Sequence, residues 1–121
     1  MVGATAVNIC VAALNLASSL IEEPSTRNID EALPLLRDGI AEAQRAFGRD
    51  NIYTFKFQRM YAKCLYEKEN ASLGDINKAV ATLEDVERRE RRVLGSEHPQ
   101  TRGTRILLEG ARDLARRHSD A

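Results

Sequence analysis

The sequence has no tryptophan, two cysteines, three prolines and seven glycines in 121 residues. Two cysteines, Cys10 and Cys64, are too few for a disulfide framework or a four-cysteine zinc site. They read as small core residues kept as thiols, which favours a reducing, intracellular compartment. The scarcity of glycine and proline favours long regular elements with short connections. Neither sign of charge is in excess, since 18 Lys and Arg balance 18 Asp and Glu. That balance argues against a chain that binds nucleic acid as a whole, which would be clearly basic.

Residues 1–21 carry no charged side chain. No basic stretch precedes their apolar part, and Asn8 and Asn15 interrupt it, so neither a cleaved signal nor a membrane span is expected there. Catalytic patterns are missing too. There is no nucleophile elbow and no glycine-rich phosphate loop. His98 and His118 have no neighbouring cysteine or acid–base set. No enzyme activity, metal site or cofactor is expected.

What the chain does have is helical periodicity. Ile29, Ala32, Leu33, Leu36, Ile40, Ala43 and Phe47 form one stripe at i, i+3, i+4, i+7 spacing, and Ile76, Ala79, Val80, Leu83, Val86 and Val93 form another. The short alternating run Tyr53, Phe55, Phe57 continues into Tyr61 and Cys64 at helical spacing, so it too reads as helix. Gly48 and Gly95 follow apolar residues that close a stripe, as helix-ending glycines do. Pro99 suits the first position of a new helix. Asn28 with Glu31 has capping-box spacing, and Asp50 is a candidate cap. Pro34 could bend its helix or delay its start. The reading is all-α, with five helices near 4–21, 29–47, 52–69, 75–94 and 99–117, joined by short loops and packed antiparallel.

A shift of 47 residues lays the chain on itself. Phe47-Gly48 falls on Leu94-Gly95, Thr54 on Thr101, and Ile29, Ala32, Leu33 and Leu36 on Ile76, Ala79, Val80 and Leu83. Leu14, Tyr61 and Leu108 line up, as do Ala17, Cys64 and Ala111. The segment Leu94-Gly95-Ser96-Glu97-His98-Pro99-Gln100-Thr101 closely resembles the junction of tetratricopeptide repeats of the kinesin-light-chain type, and Ala32 to Gly48 resembles the second helix of such a repeat. The first junction departs from the pattern, with Asp50-Asn51 in place of His-Pro, and residues 69–74 lengthen one turn. The resemblance implies an antiparallel helix-hairpin solenoid of two and a half repeats (1–47, 48–94 and a capping helix in 95–121). It also implies a non-catalytic module that binds a peptide or a partner protein.

In such repeats the first helix of each pair lines a concave groove. Helical geometry then puts Lys56, Arg59, Lys63 and Tyr66 on the groove face, a stripe suited to an acidic peptide or a terminal carboxylate. The first helix has a core stripe of Cys10, Ala13, Leu14, Ala17 and Ile21. It also has a second apolar stripe, Ile9, Ala12, Leu16 and Leu20, where the groove face is expected. A helix apolar on two faces suggests docking against a second copy, a partner subunit or a further repeat outside this chain, or a terminal helix shifted over its own core. An alternative role is therefore a structural subunit held in a larger complex. The run Glu87-Arg88-Arg89-Glu90-Arg91-Arg92 reads as a solvated helix face with an i, i+4 pair, Glu87–Arg91. With Arg102, Arg105, Arg112, Arg116 and Arg117 it offers a weaker alternative, RNA or phosphate binding, which the interleaved acids oppose.

Overall fold

A computed structural model of the chain describes residues 2–22 and 28–120. Among them the regular structure is five α-helices: α1 (Val2–Glu22), α2 (Ile29–Phe47), α3 (Ile52–Glu67), α4 (Leu73–Leu94) and α5 (Pro99–Asp120). All five expected helices are present, with ends displaced by up to three residues. The expected turn after α1 falls largely on residues 23–27, outside the described residues.

Local chemistry sets the boundaries. The Asn28 side chain accepts from Glu31 N at 3.0 Å and donates to the Glu31 carboxylate at 3.0 Å, so α2 starts at a reciprocal cap. Pro34 stays inside α2 without delaying its start. At α3 the cap is Asn51, whose Oδ1 accepts from Tyr53 N at 2.9 Å. Asp50 does not cap; it turns to Arg92 at 3.1 Å and Arg89 at 3.8 Å. The α4 helix begins earlier than its apolar stripe suggests, because Ser72 and Asp75 form a capping box that carries Gly74 into the first turn.

The two junctions share several contacts, although the Thr54 hydroxyl donates to Gly48 O and the Thr101 hydroxyl makes no matching bond. Gly48 N donates to Gln44 O, and 47 residues later Gly95 N donates to Arg91 O. Both glycines have positive φ, 90° and 97°, which other residues adopt only with strain. Asn51 Oδ1 receives Tyr53 N, and His98 Nδ1 receives Gln100 N at 3.1 Å in the matching place. Thr54 and Thr101 are both fully buried.

Each helix packs on its chain neighbours, and α3 also touches α1 and α5, while α2 and α4 do not meet. Neighbours run antiparallel. Asp50 before α3 meets Arg92 at the end of α4. His118 near the end of α5 lies 3.2 Å from Ala71 O just before α4. Two apolar clusters result. The first unites Cys10 and Ala17 of α1, Ala32, Leu36 and Ala43 of α2, and Phe57 and Cys64 of α3. The second unites Ala62 and Leu65 of α3, Ala79 and Leu83 of α4, and Leu108 and Ala111 of α5. Both cysteines are buried thiols, and burial raises the pKa of Cys10.

One contact shows how the repeats differ yet fill the same space. A Cβ on Gly39 would lie 2.3 Å from the Phe57 ring, so α2 admits the phenyl group only because residue 39 has no side chain. The positions 47 residues on hold Val86 and Thr104, with the larger and smaller residues exchanged. Val93, expected in the core stripe of α4, is 47% exposed. The buried stripe passes through Val86 and closes at Glu90, one turn before the end of α4.

Candidate interaction groove

Because α3 touches both α1 and α5, these three helices lie side by side along one surface. Two clefts open there. One, of about 330 Å³, lies between Val11, Leu14, Asn15 and Ser18 of α1 and Tyr53, Lys56, Arg59 and Met60 of α3. The other, of about 410 Å³, lies between Arg59 of α3 and Pro99, Gln100, Gly103 and Leu107 of α5. Arg59 belongs to both, so it forms the ridge between them. The second cleft is walled mainly by apolar surface, whereas the first is mixed, with Asn15, Ser18 and Lys56 beside Val11, Leu14, Tyr53 and Met60; the cations stand on α3.

The four groove residues expected on α3 fare differently. Lys56 is half-buried, with its Nζ 5.9 Å from the Tyr53 ring centroid, a cation–π approach that leaves the ammonium beside the first cleft. Lys63 is half-exposed, two turns further along. Tyr66 packs against the second apolar cluster, where burial, and secondarily Glu67, push its phenol pKa up to about 12. Arg59 is the exception. Its guanidinium donates to Glu90 Oε2 at 3.1 Å, to Gln100 O at 3.1 Å and to the Thr104 hydroxyl at 3.5 Å.

Glu90 was the residue missed. Its side chain is fully buried, and burial raises its carboxyl pKa while Thr104 and Arg59 lower it and Glu87 pushes it up again. The Arg59 pKa is lowered by burial and raised by Glu90. The pair ties α3 to α4 and, through Gln100 and Thr104, to α5. Glu90 is thus not part of a solvated run, and Glu87 is buried as well. The repeat carries the signal that could have found it. Forty-seven residues before Glu90 stands Ala43, a core position in the first cluster.

The apolar stripe of α1 does not line the groove. Ile9 and Leu16 are 58% and 53% exposed, and Ala12 is exposed between them, whereas Leu20 is half-buried against the first cluster. The groove wall is made instead by Val11, Asn15 and Ser18. The reason is polarity. At a strict 47-residue step, Asn15 and Ser18 would take the core places of Ala62 and Leu65, so α1 turns by about one residue, or 100°, and buries Cys10 and Ala17.

The C-terminal arginines are mostly paired. Arg105 contacts Glu87 at 3.6 Å, Arg112 contacts Glu84 at 2.8 Å, and Arg116 and Arg117 both bond Asp113. Arg102 is exposed. His98 is taken up as a helix cap. Among the described residues no three His, Cys, Asp or Glu side chains converge as metal ligands would. No family model, curated protein or solved structure matches the chain.

Proposed function

We propose that the chain is a tetratricopeptide-like, non-catalytic interaction module of two and a half repeats, binding a peptide or partner protein along the surface shared by α1, α3 and α5. The supporting observation is the pair of clefts that meet at Arg59, with Lys56 lining the first and the half-exposed Lys63 on the same stripe of α3 about one turn beyond Arg59. An apolar cleft beside a mixed one, with cations on α3, suits a segment that offers apolar side chains and a carboxylate. Glu90 neutralises Arg59 from beneath, so Lys56 and Lys63 carry the attraction for an acidic ligand. A terminal or side-chain carboxylate would gain charge-assisted hydrogen bonds there. The ion pairs along α4 and α5 weigh against the RNA or phosphate reading.

A second reading, a structural subunit held in a larger complex, is favoured by the exposed Ile9 and Leu16 on α1. The two are separated by titrating labelled acidic, neutral and basic peptides against the wild type and a Lys56→Glu, Lys63→Glu variant. The groove reading expects preference for acidic peptides, loss of affinity with salt, and a drop of about tenfold or more in the variant, at ~1.5 kcal/mol per charged hydrogen bond. Equal binding of all three classes, unaffected by the variant, would reject it. Affinity purification from the native cell with mass spectrometry would then identify the ligand.

A further inference from the structure

The helices α2 and α4, and likewise α3 and α5, correspond at a step of 47 residues, but the contacts shift α1 to a step of 48, since Val11 faces α3 from α1 as Arg59 faces α5 from α3. At that step Leu14 and Ala17 take the places of Ala62 and Leu65, each facing the core of its own pair. Ile9, Ala12 and Leu16 then take the places of Phe57, Met60 and Cys64. On α3 those three residues pack into the first cluster, against α1 and α2. On α1 the equivalent face is open, with Ile9 and Leu16 more than half exposed. The fold therefore shows what such a face does when it is satisfied: it packs against another helix.

We propose that this face joins two copies of the chain, with α1 packed antiparallel on α1 of the second copy about a two-fold axis near Ala12. The stripe is self-complementary about its own middle. In that arrangement Ile9 meets Leu16 of the second copy, Leu16 meets its Ile9, and the small Ala12 at the centre lets the helices approach closely. Thr5 and Leu20 close the two ends. From Val2 to Ile21 the helix has no charged side chain, and the carboxylates nearest the stripe, Asp38 and Glu42 of α2, are exposed at the edge of the cleft beside Ile9. A head-to-tail stack is disfavoured, since α5 turns Arg102, Glu109, Arg112 and Arg116 to solvent.

A bilayer is the competing cover, because Thr5–Glu22 is long and apolar enough to cross one. Two features oppose it. The helix has no Lys or Arg to meet lipid headgroups. Spanning would also pull Cys10 and Ala17, which are 3% and 0% exposed, out of the first cluster. The proposal rests on the equivalence of the helices and not on the groove reading, so the two fail independently.

The test is molar mass by light scattering or sedimentation over a range of concentrations. Wild type should approach twice the 13.5 kDa chain mass as concentration rises. An Ile9→Glu, Leu16→Glu variant should stay at the single-chain mass with its helical circular dichroism kept. Should that variant misfold, Ala12→Cys gives an independent readout: oxidation should link two chains through residue 12, while Ile106→Cys on α5, at a site 69% exposed, should not link them. A wild type that stays monomeric throughout, a dimer that survives the double substitution, equal linking at positions 12 and 106, or a monomer that floats with phosphatidylcholine–phosphatidylserine vesicles would each overturn the proposal.

Discussion

Replacing Arg59 with methionine should destabilise the fold by about 3–5 kcal/mol at neutral pH, because it leaves the Glu90 carboxylate buried without its cation. The side chain of Glu90 is fully buried, and its Oε1 already has no hydrogen-bond partner. Little solvent is available to take over from Arg59. For a chain of this size ~1 kcal/mol corresponds to roughly 3–5 °C, so Tm should fall by ~10–20 °C. The deficit should depend on pH with a definite sign. Burial raises the Glu90 pKa above its ordinary value of 4.5, so the native state holds this proton more tightly than the unfolded chain. Its contribution to stability therefore falls as pH rises through the window between the unfolded and folded values. Arg59 works against that rise, so its loss widens the window, and the variant should recover stability towards acid relative to wild type. Adding Glu90→Leu removes the stranded charge. The Arg59→Met, Glu90→Leu double variant should return to within about 1 kcal/mol of wild type or exceed it. Urea unfolding of all four proteins across pH closes the cycle. A single-variant cost below ~1 kcal/mol that is indifferent to pH, or additive losses in the double variant, would refute the reasoning.

Other perturbations probe other parts of the fold. Gly39→Ala should cost ~1–3 kcal/mol by driving a methyl group into the Phe57 ring, and Phe57→Leu in the same chain should recover part of it, both read by urea midpoint. Ser72→Ala should cost ~1 kcal/mol and fray the start of α4 in amide exchange, since it removes one half of the capping box. Hydrogen bonds from Ser72 and Lys68 hold the Asp75 pKa below its ordinary value of 3.8, so the stability tied to that carboxylate is present above this value and is lost as pH falls below it. A Ser72→Ala, Asp75→Asn variant should therefore show a shallower acid limb in thermal melts. Ultraviolet titration should find a phenol ionising near pH 12 that Tyr66→Phe abolishes. Because that phenol keeps its proton longer in the native state, Tyr66 should add to the loss of stability as pH rises above about 10.

Helix number, junctions and most of the core were legible in the sequence because apolar residues at period 3.6 and glycines after the stripes are local signals. The 47-residue step carried more than the fold class. It matched Gly48 to Gly95 and Thr54 to Thr101, and the structure repeats the N–H bonds of the glycines and the burial of the threonines. Two things escaped. Glu90 looks like part of a charged surface run, and only its packing against α3 and α5 shows that it is a core residue paired with Arg59. The stripe Cys10, Ala13, Leu14, Ala17 and Ile21 does form the buried face of α1, as its spacing predicts, but the second stripe, with Ile9, Ala12 and Leu16, turns away from the groove, which periodicity alone does not show. The aromatic cluster between Phe47 and Tyr66 makes sense once α3 is seen to lie between both hairpin contacts, with Tyr61 packing on both apolar clusters.

The central claim is that the surface shared by α1, α3 and α5 receives the partner. It is tested most directly by backbone amide NMR during titration with an acidic peptide that also carries apolar residues. The account predicts that shifts concentrate at Val11, Asn15, Lys56, Lys63, Gly103 and Leu107, and that Lys56→Glu with Lys63→Glu suppresses them. Shifts concentrated on α2 and α4, or none at peptide concentrations that saturate weak binding, would contradict it.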